Sequence, residues 1–229
     1  MIDPTRITQY NRSQEQLEEV ALFCIAAAGK NAKTTAKLLL KLLGEPAVHP
    51  FETIRRYKTS ELLQFQMRKI GFGCHRLKSR GFFALAKSGF DLKTVTVEQL
   101  ESIPGVGMKT SRFFLMHNFR QCRYACLDRH ILKFMSLLFG VQLPLNTPSK
   151  KRYLLLEKLF LKLCSWWSIR PADLDLKIWN YFAQKVPPTT IDRFLITNKF
   201  EKPMNGDFCP VNILLLTGQN NAQYLDTKV

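Results

Sequence analysis

An all-α fold is predicted by three features of the chain. Apolar residues return at three- and four-residue intervals from about Gln16 to Gln184, alternating strand patterns are rare there, and Gly, Pro, Ser and Thr stand where helices begin and end. Residues 16–28 place Leu17, Val20, Ala21, Phe23, Cys24 and Ala27 on or near one face, and Gly29 breaks the helix. Asn31 or Thr34 restarts one through residues 36–40, which Gly44 and Pro46 end. Thr59 or Ser60 opens a segment through Leu62, Phe65 and Met67 that closes near Gly71 and Gly73. Residues 76–87 follow as a helix stopped at Gly89. Residues 97–102 and 109–119 form two helices about a glycine turn, the second burying Phe113, Phe114 and Met116. Residues 127–139, 150–168 and 172–184 complete the helical body. After Pro187 and Pro188 the composition changes, and the short apolar runs 194–196 and 211–216 are candidate strands in a C-terminal extension, residues 188–229, whose structure the pattern leaves open.

Composition selects a partner class. The 229 residues carry 34 Lys and Arg against 18 Asp and Glu, a net charge of +16 with a pI near 9.8. Such a field attracts polyphosphate and releases counterions on binding. Charge alone suits RNA or ribosomes as well as DNA, so it indicates the partner class without the chemistry. The length suits one compact domain or two small lobes. Met1-Ile2-Asp3-Pro4 lacks the basic and apolar runs of a secretion signal, and no apolar stretch reaches the roughly 18 residues of a membrane span. An intracellular, reducing location and no membrane partner are expected. Cys24, Cys74, Cys122, Cys126, Cys164 and Cys209 include no C-x-x-C pair, so buried, reduced thiols are expected rather than a zinc site, an iron–sulfur cluster or a redox device.

The most informative stretch is Leu-Glu-Ser-Ile-Pro-Gly-Val-Gly-Met-Lys-Thr at residues 100–110. Gly105 and Gly107 permit positive φ and leave no side chain between backbone and ligand, so amides around Val106 and Met108 can face an anion at a helix start. A nucleic-acid phosphate fits there. Further on lies Leu127-Asp128-Arg129-His130, and Lys109 with Asp128 can supply an amine nucleophile and a carboxylate for one site. Taken singly, Lys109 reads as a phosphate contact and Asp128 as a helix N-cap.

Together these motifs resemble those of the helix-hairpin-helix DNA glycosylase superfamily, whose bifunctional members carry a lysine at the end of L-x-x-[IL]-P-G-V-G-x-K and an aspartate in a later [VL]-D-x-H. The resemblance covers roughly residues 15–185. It implies two helical lobes flanking a DNA-binding cleft, with residues 30–124 as the middle lobe carrying the hairpin and residues 1–29 plus 125–187 as the second. It also implies a base-excision-repair enzyme, a DNA N-glycosylase with AP lyase activity, acting as a monomer on double-stranded DNA that contains a damaged base. Endonuclease III and its relatives carry a four-cysteine cluster loop after the aspartate lobe, whereas here only Cys209 follows Cys164. No cluster and no required cofactor are expected.

The chemistry follows from residue type. Breaking an N-glycosidic bond builds positive charge on the sugar, which a carboxylate near C1′ stabilises, and Asp128 is the candidate. Lysine attacks C1′ only as the neutral amine, a form favoured by apolar neighbours such as Met108 and Phe113 and by a helix start. The resulting imine acidifies the C2′ hydrogen and permits β-elimination. By resemblance, the amides of Gly105 and Gly107 contact phosphate, and the backbone carbonyls of Glu101, Ile103 and Val106 are candidate ligands for a structural monovalent cation. His130 is a candidate to orient a phosphate or the Asp128 loop, and Arg76, with Lys78 and Arg80, to supply phosphate charge. Lys30 and Asn31 fall where family members insert a residue into the gap left by the extruded base.

Phe113, Trp179 and Phe182 are candidate base-pocket residues, each as readable as core. The segment 175–184 resembles the C-terminal helix of compact, cluster-free 8-oxoguanine glycosylase/lyases. Three subfamily observations favour 8-oxoguanine as the excised base: there is no iron–sulfur motif, no N-terminal β-rich segment of the eukaryotic 8-oxoguanine type, and the body is short after the aspartate lobe. An oxidised-pyrimidine glycosylase/lyase is the first alternative, and a helix-hairpin-helix DNA-binding protein without chemistry is the alternative from another class.

Overall fold

The computed structural model describes residues 2–143, 145–183 and 189–203, all helix and connecting turns with no strand among them. The expected run at 211–216 and Cys209 lie outside these residues. The chain divides into two compact units, Met1–Tyr124 and Ala125–Val229.

At the centre of the first unit is α1, Gln14–Ala27, opened by a capping box between Ser13 and Gln16. Leu17 and every residue from Val20 to Ala26 are buried, because α1 is apolar nearly all round and is enclosed by its neighbours α2, Ala32–Leu43; α3, Pro50–Arg55; α5, His75–Lys87; and α7, Met108–Asn118. Asn31 and Thr59 cap α2 and α4 (Ser60–Lys69), and Gly44 ends α2 with its N–H on the Leu40 carbonyl. The helix α6, Val97–Glu101, carries a second capping box from Thr96 and Gln99. Sequence pattern did not announce α3. It is only six residues long, its N-cap position is His49 in the left-handed region, and the Phe51 N–H donates to Glu18 Oε2 of α1 at 3.0 Å, so tertiary contact supplies what local sequence lacks.

The N-terminal residues belong to this unit. The Gln9 N–H donates to the His117 carbonyl at 3.0 Å, while the Arg12 guanidinium donates to the Ile7 carbonyl at 2.6 Å and to Asn118 Oδ1 at 2.5 Å. With α1 packed on α2, α3, α5 and α7, residues 1–29 group with the middle segment and not, as the sequence expectation had it, with residues 125–187.

The second unit holds α8, Arg129–Phe139; α9, Lys150–Trp166; α10, Pro171–Phe182; and α11, Asp192–Asn198. The apolar run 194–196 is helical, which corrects the candidate strand: Phe194 is buried against Phe134 and Tyr181 at centroid distances of 5.1 and 5.3 Å, while Ile196 is 78 % exposed. Trp167 stacks on Phe200 at 4.5 Å and donates its Nε1–H to the Glu201 carbonyl at 2.9 Å. Among the described cysteines, Cys24, Cys74 and Cys122 are free thiols, and burial pushes the Cys24 thiol up to about 12.

Candidate active site

The hairpin is built between α6 and α7. Ile103 and Val106 are buried and anchor it, and the Val106 N–H donates to the Ile103 carbonyl at 3.0 Å, closing the turn. That bond consumes an amide expected to face an anion. Gly105 has φ +83°, where a side chain is strained, but Gly107 is extended at φ −108° and ψ −177°, a conformation open to any residue. Only the first glycine is therefore required by the backbone, which corrects the expectation for the second. Gly107 nevertheless matters as the N-cap of α7: it offers no side-chain cap, and its amide and that of Met108 donate to no described acceptor. Two N–H groups at the positive end of a helix are thus open to an anion.

Lys109 is the second residue of α7 and half-buried. The hairpin around it is braced by a contact that motif reading missed. Glu101 Oε1, at the end of α6, accepts from Arg112 Nη1 at 2.7 Å and from Ser111 Oγ at 2.9 Å, tying the end of α6 to the first turns of α7. The signal was present as an acid and a base on opposite sides of the turn, but spacing alone does not distinguish such a pair from solvated charges. Because the Arg112 side chain is only 7 % exposed, Glu101→Gln removes charge from a largely desolvated pair. A loss of about 1–3 kcal/mol in a denaturant melt is expected, against no measurable change for the exposed Glu52→Gln.

Asp128 is the N-cap of α8. Its Oδ1 accepts from the N–H groups of His130 at 2.8 Å and Ile131 at 3.0 Å. The approach to it is held from α9: the buried Tyr153 hydroxyl donates to the Ala125 carbonyl at 2.7 Å and accepts the Leu127 N–H at 3.1 Å, and Glu157 Oε1 accepts the Ala125 N–H at 2.9 Å. A further bond from the Asp128 N–H to the Cys126 carbonyl, 2.6 Å, tightens the turn. Residues 125–127 are buried without being helical, so their backbone groups need these partners. Neither Tyr153 nor Glu157 was singled out by sequence, since nothing local marks a helix residue that serves a distant loop.

The remaining candidates separate by environment. His130, second in α8, is half-exposed, and its backbone N–H serves the Asp128 cap. Asn31 Oδ1 caps α2 through the Thr34 N–H at 3.0 Å, and Lys30 lies with its side chain against Gly73. Arg76 and Arg80 are exposed on α5, but Lys78 is 4 % exposed and its Nζ donates to the Ala26 carbonyl at the end of α1. It is a buried strut whose pKa burial lowers, not the phosphate contact that its basic neighbours suggested. Phe113, in the first unit, contacts the His117 ring at 4.4 Å. In the second unit Trp179 is half-buried, whereas Phe182 is a core residue at 1 % exposure with the Lys133 ammonium 5.4 Å from its ring. Of the candidate cation ligands, the Ile103 carbonyl already accepts the Val106 N–H, while Glu101 and Val106 stand at the two ends of the turn.

A family model described as 8-oxoguanine DNA glycosylase, of the helix-hairpin-helix type, matches residues 3–169. The chain belongs to this family. Two archaeal relatives named 8-oxoguanine DNA glycosylase/AP lyase align with it: that of Thermoplasma acidophilum is 35 % identical over 80 residues, covering 35 % of this chain and 37 % of the relative, and that of Picrophilus torridus is 35 % identical over 87 residues, covering 38 % and 41 %. The chain thus spans about two fifths of the length of these relatives. The fold resembles the crystal structure of the 8-oxoguanine DNA glycosylase of Thermotoga maritima, with TM-score 0.59, 24 % identity and coverage of 77 % of this chain and 84 % of that one. It likewise resembles the Methanocaldococcus jannaschii 8-oxoguanine glycosylase/lyase solved with a 15mer DNA containing 8-oxoguanine, with TM-score 0.60, 22 % identity and coverage of 78 % and 86 %. The family match includes both the hairpin with Lys109 and the turn with Asp128.

Proposed function

We propose that this protein is a bifunctional DNA glycosylase and AP lyase of base excision repair that removes 8-oxoguanine from double-stranded DNA. The observation that carries the reading is a half-buried lysine in the first turn of the hairpin's second helix, followed at family spacing by an aspartate N-cap held from α9. Relatives named for this activity support it.

The amine of Lys109 attacks C1′ of the extruded nucleotide, and the N-glycosidic electron pair leaves with the base, which is protonated as it departs. The Asp128 carboxylate stabilises the positive charge that develops on the sugar. Opening of the sugar ring gives an imine between Lys109 and C1′. Removal of a C2′ proton then expels the 3′ phosphate, and hydrolysis of the imine frees the lysine. The open amides of Gly107 and Met108 and the exposed guanidinium groups of Arg76 and Arg80 hold the phosphate backbone. The carbonyls of Glu101, Ile103 and Val106 are assigned to a monovalent cation at the turn. No described helix is long and apolar enough to cross a membrane, the charge of +16 suits a DNA partner, and the family resemblance implies a monomer acting on DNA inside the cell.

Duplexes each carrying one lesion test the substrate. Strand cleavage at 8-oxoguanine opposite cytosine, undiminished by chelator, is the expected result. Cleavage at thymine glycol with 8-oxoguanine untouched would replace the substrate and keep the mechanism, and no base release from any lesion would leave a DNA-binding module. The grip makes its own prediction: replacing Gly105 by a bulky residue forces an unfavourable φ and is expected to weaken binding to damaged and undamaged duplex alike, about tenfold, in a fluorescence titration.

A further inference from the structure

The interior of α5 contains a glycine that its own backbone does not need. Gly81 lies mid-helix, is buried and has no positive φ, so alanine there is worth about 0.5–1 kcal/mol more in helix propensity. A Cβ at Gly81, however, would overlap the backbone carbonyl oxygen of Pro104 and stand 3.4 Å from Ile25 Cγ2. The obstructing atom is main chain of the hairpin and yields only if the hairpin moves. One turn earlier on the same helix, the Leu77 side chain covers the other half of the turn: its Cγ lies 3.2 Å from the position a Cβ would take on Gly105. Leu77 is 52 % exposed, so it is a cover and not a core residue. Arg76 and Arg80, each one position before these two, are exposed on α5.

We propose that Leu77 and Gly81 form the seat of the hairpin, and that Gly81 is a positioning residue for phosphate binding, fixing the Pro104–Gly107 backbone relative to the basic row of α5. The proposal rests on the reading of the hairpin as a DNA grip. A helix that approaches a carbonyl this closely leaves room for Cα–H···O contact and for nothing larger. Any side chain at residue 81 displaces the turn and with it the two open amides at the start of α7. The exposed guanidinium groups stay where they are, so binding loses the phosphate held by the amides and keeps those held by arginine.

The experiment compares wild type, Gly81→Ala and Leu77→Ala in affinity for a short undamaged duplex between about 50 and 200 mM salt, with the thermal midpoint of each protein measured without DNA. Gly81→Ala is expected to bind about tenfold more weakly at low salt and to lose roughly one phosphate contact from the slope of log affinity against log salt, while remaining folded at the assay temperature. Leu77→Ala, at an exposed position that does not endanger folding, is expected to shift affinity in the same direction by about two- to fivefold. A role confined to helix stability would move the thermal midpoint without moving slope or affinity in the folded protein. The proposal is overturned if Gly81→Ala keeps the wild-type affinity and slope. Should Gly81→Ala not fold, wild-type behaviour of Leu77→Ala overturns it. Wild type that binds without salt dependence defeats the grip reading instead, which separates the two failures.

Discussion

Lys109→Gln is expected to abolish imine formation and to slow strand cleavage by on the order of 10³-fold or more, because the residue that forms the bond to C1′ is gone. Glutamine suits the test. It matches lysine in helix propensity, so the second position of α7 tolerates it, and the Glu101–Arg112 brace does not involve residue 109. The open amides of Gly107 and Met108 are backbone, so phosphate binding is expected to survive the substitution. Single-turnover cleavage of an 8-oxoguanine duplex, read beside a binding titration, separates the two effects. Loss of affinity with an unchanged rate at saturating enzyme would return Lys109 to the role of a phosphate contact.

Asp128→Asn is expected to lower turnover by about 10²–10³-fold while leaving DNA affinity and stability nearly intact. This side chain has two uses. As the N-cap of α8 it accepts two backbone N–H groups through one oxygen, and asparagine caps helices about as well as aspartate. The substitution therefore keeps the cap and removes the charge. Some tenths of a kcal/mol of interaction with the helix dipole go with it, too little to unfold the unit. If capping were the whole role, Asp128→Asn would be close to wild type in turnover, and Asp128→Ala would show its cost in thermal stability alone.

Much of this site was legible because its residues are specified locally. The run of residues 100–110 announces a glycine turn between helices, and an acid followed by an apolar helix announces a cap; both need only neighbours in sequence. The helices from α1 to α10 were readable for the same reason, with α3 the exception among them because its N-terminus depends on Glu18 from another helix. What stayed hidden depends on distance. Lys78 reads as one of three basic residues until the fold buries it against the end of α1. Gly107 looks like Gly105 but differs in backbone conformation, since one closes the turn and the other opens α7. Tyr153 and Glu157 serve residues 125 and 127 from a separate helix, and no periodicity shows which of two buried polar residues does such work. The run 194–196 was ambiguous for a plainer reason: three apolar residues satisfy a strand or a helix equally, and contact with Phe134 and Tyr181 decides.

The central claim is that the Lys109 amine bonds to the sugar of a damaged nucleotide. Its most direct test is borohydride reduction of the wild-type protein with a duplex containing 8-oxoguanine, followed by proteolysis and mass spectrometry of the crosslinked peptide. A stable adduct on the peptide that contains Lys109 is the expected result. An adduct on another amine, or strand cleavage with no adduct at all, would contradict it.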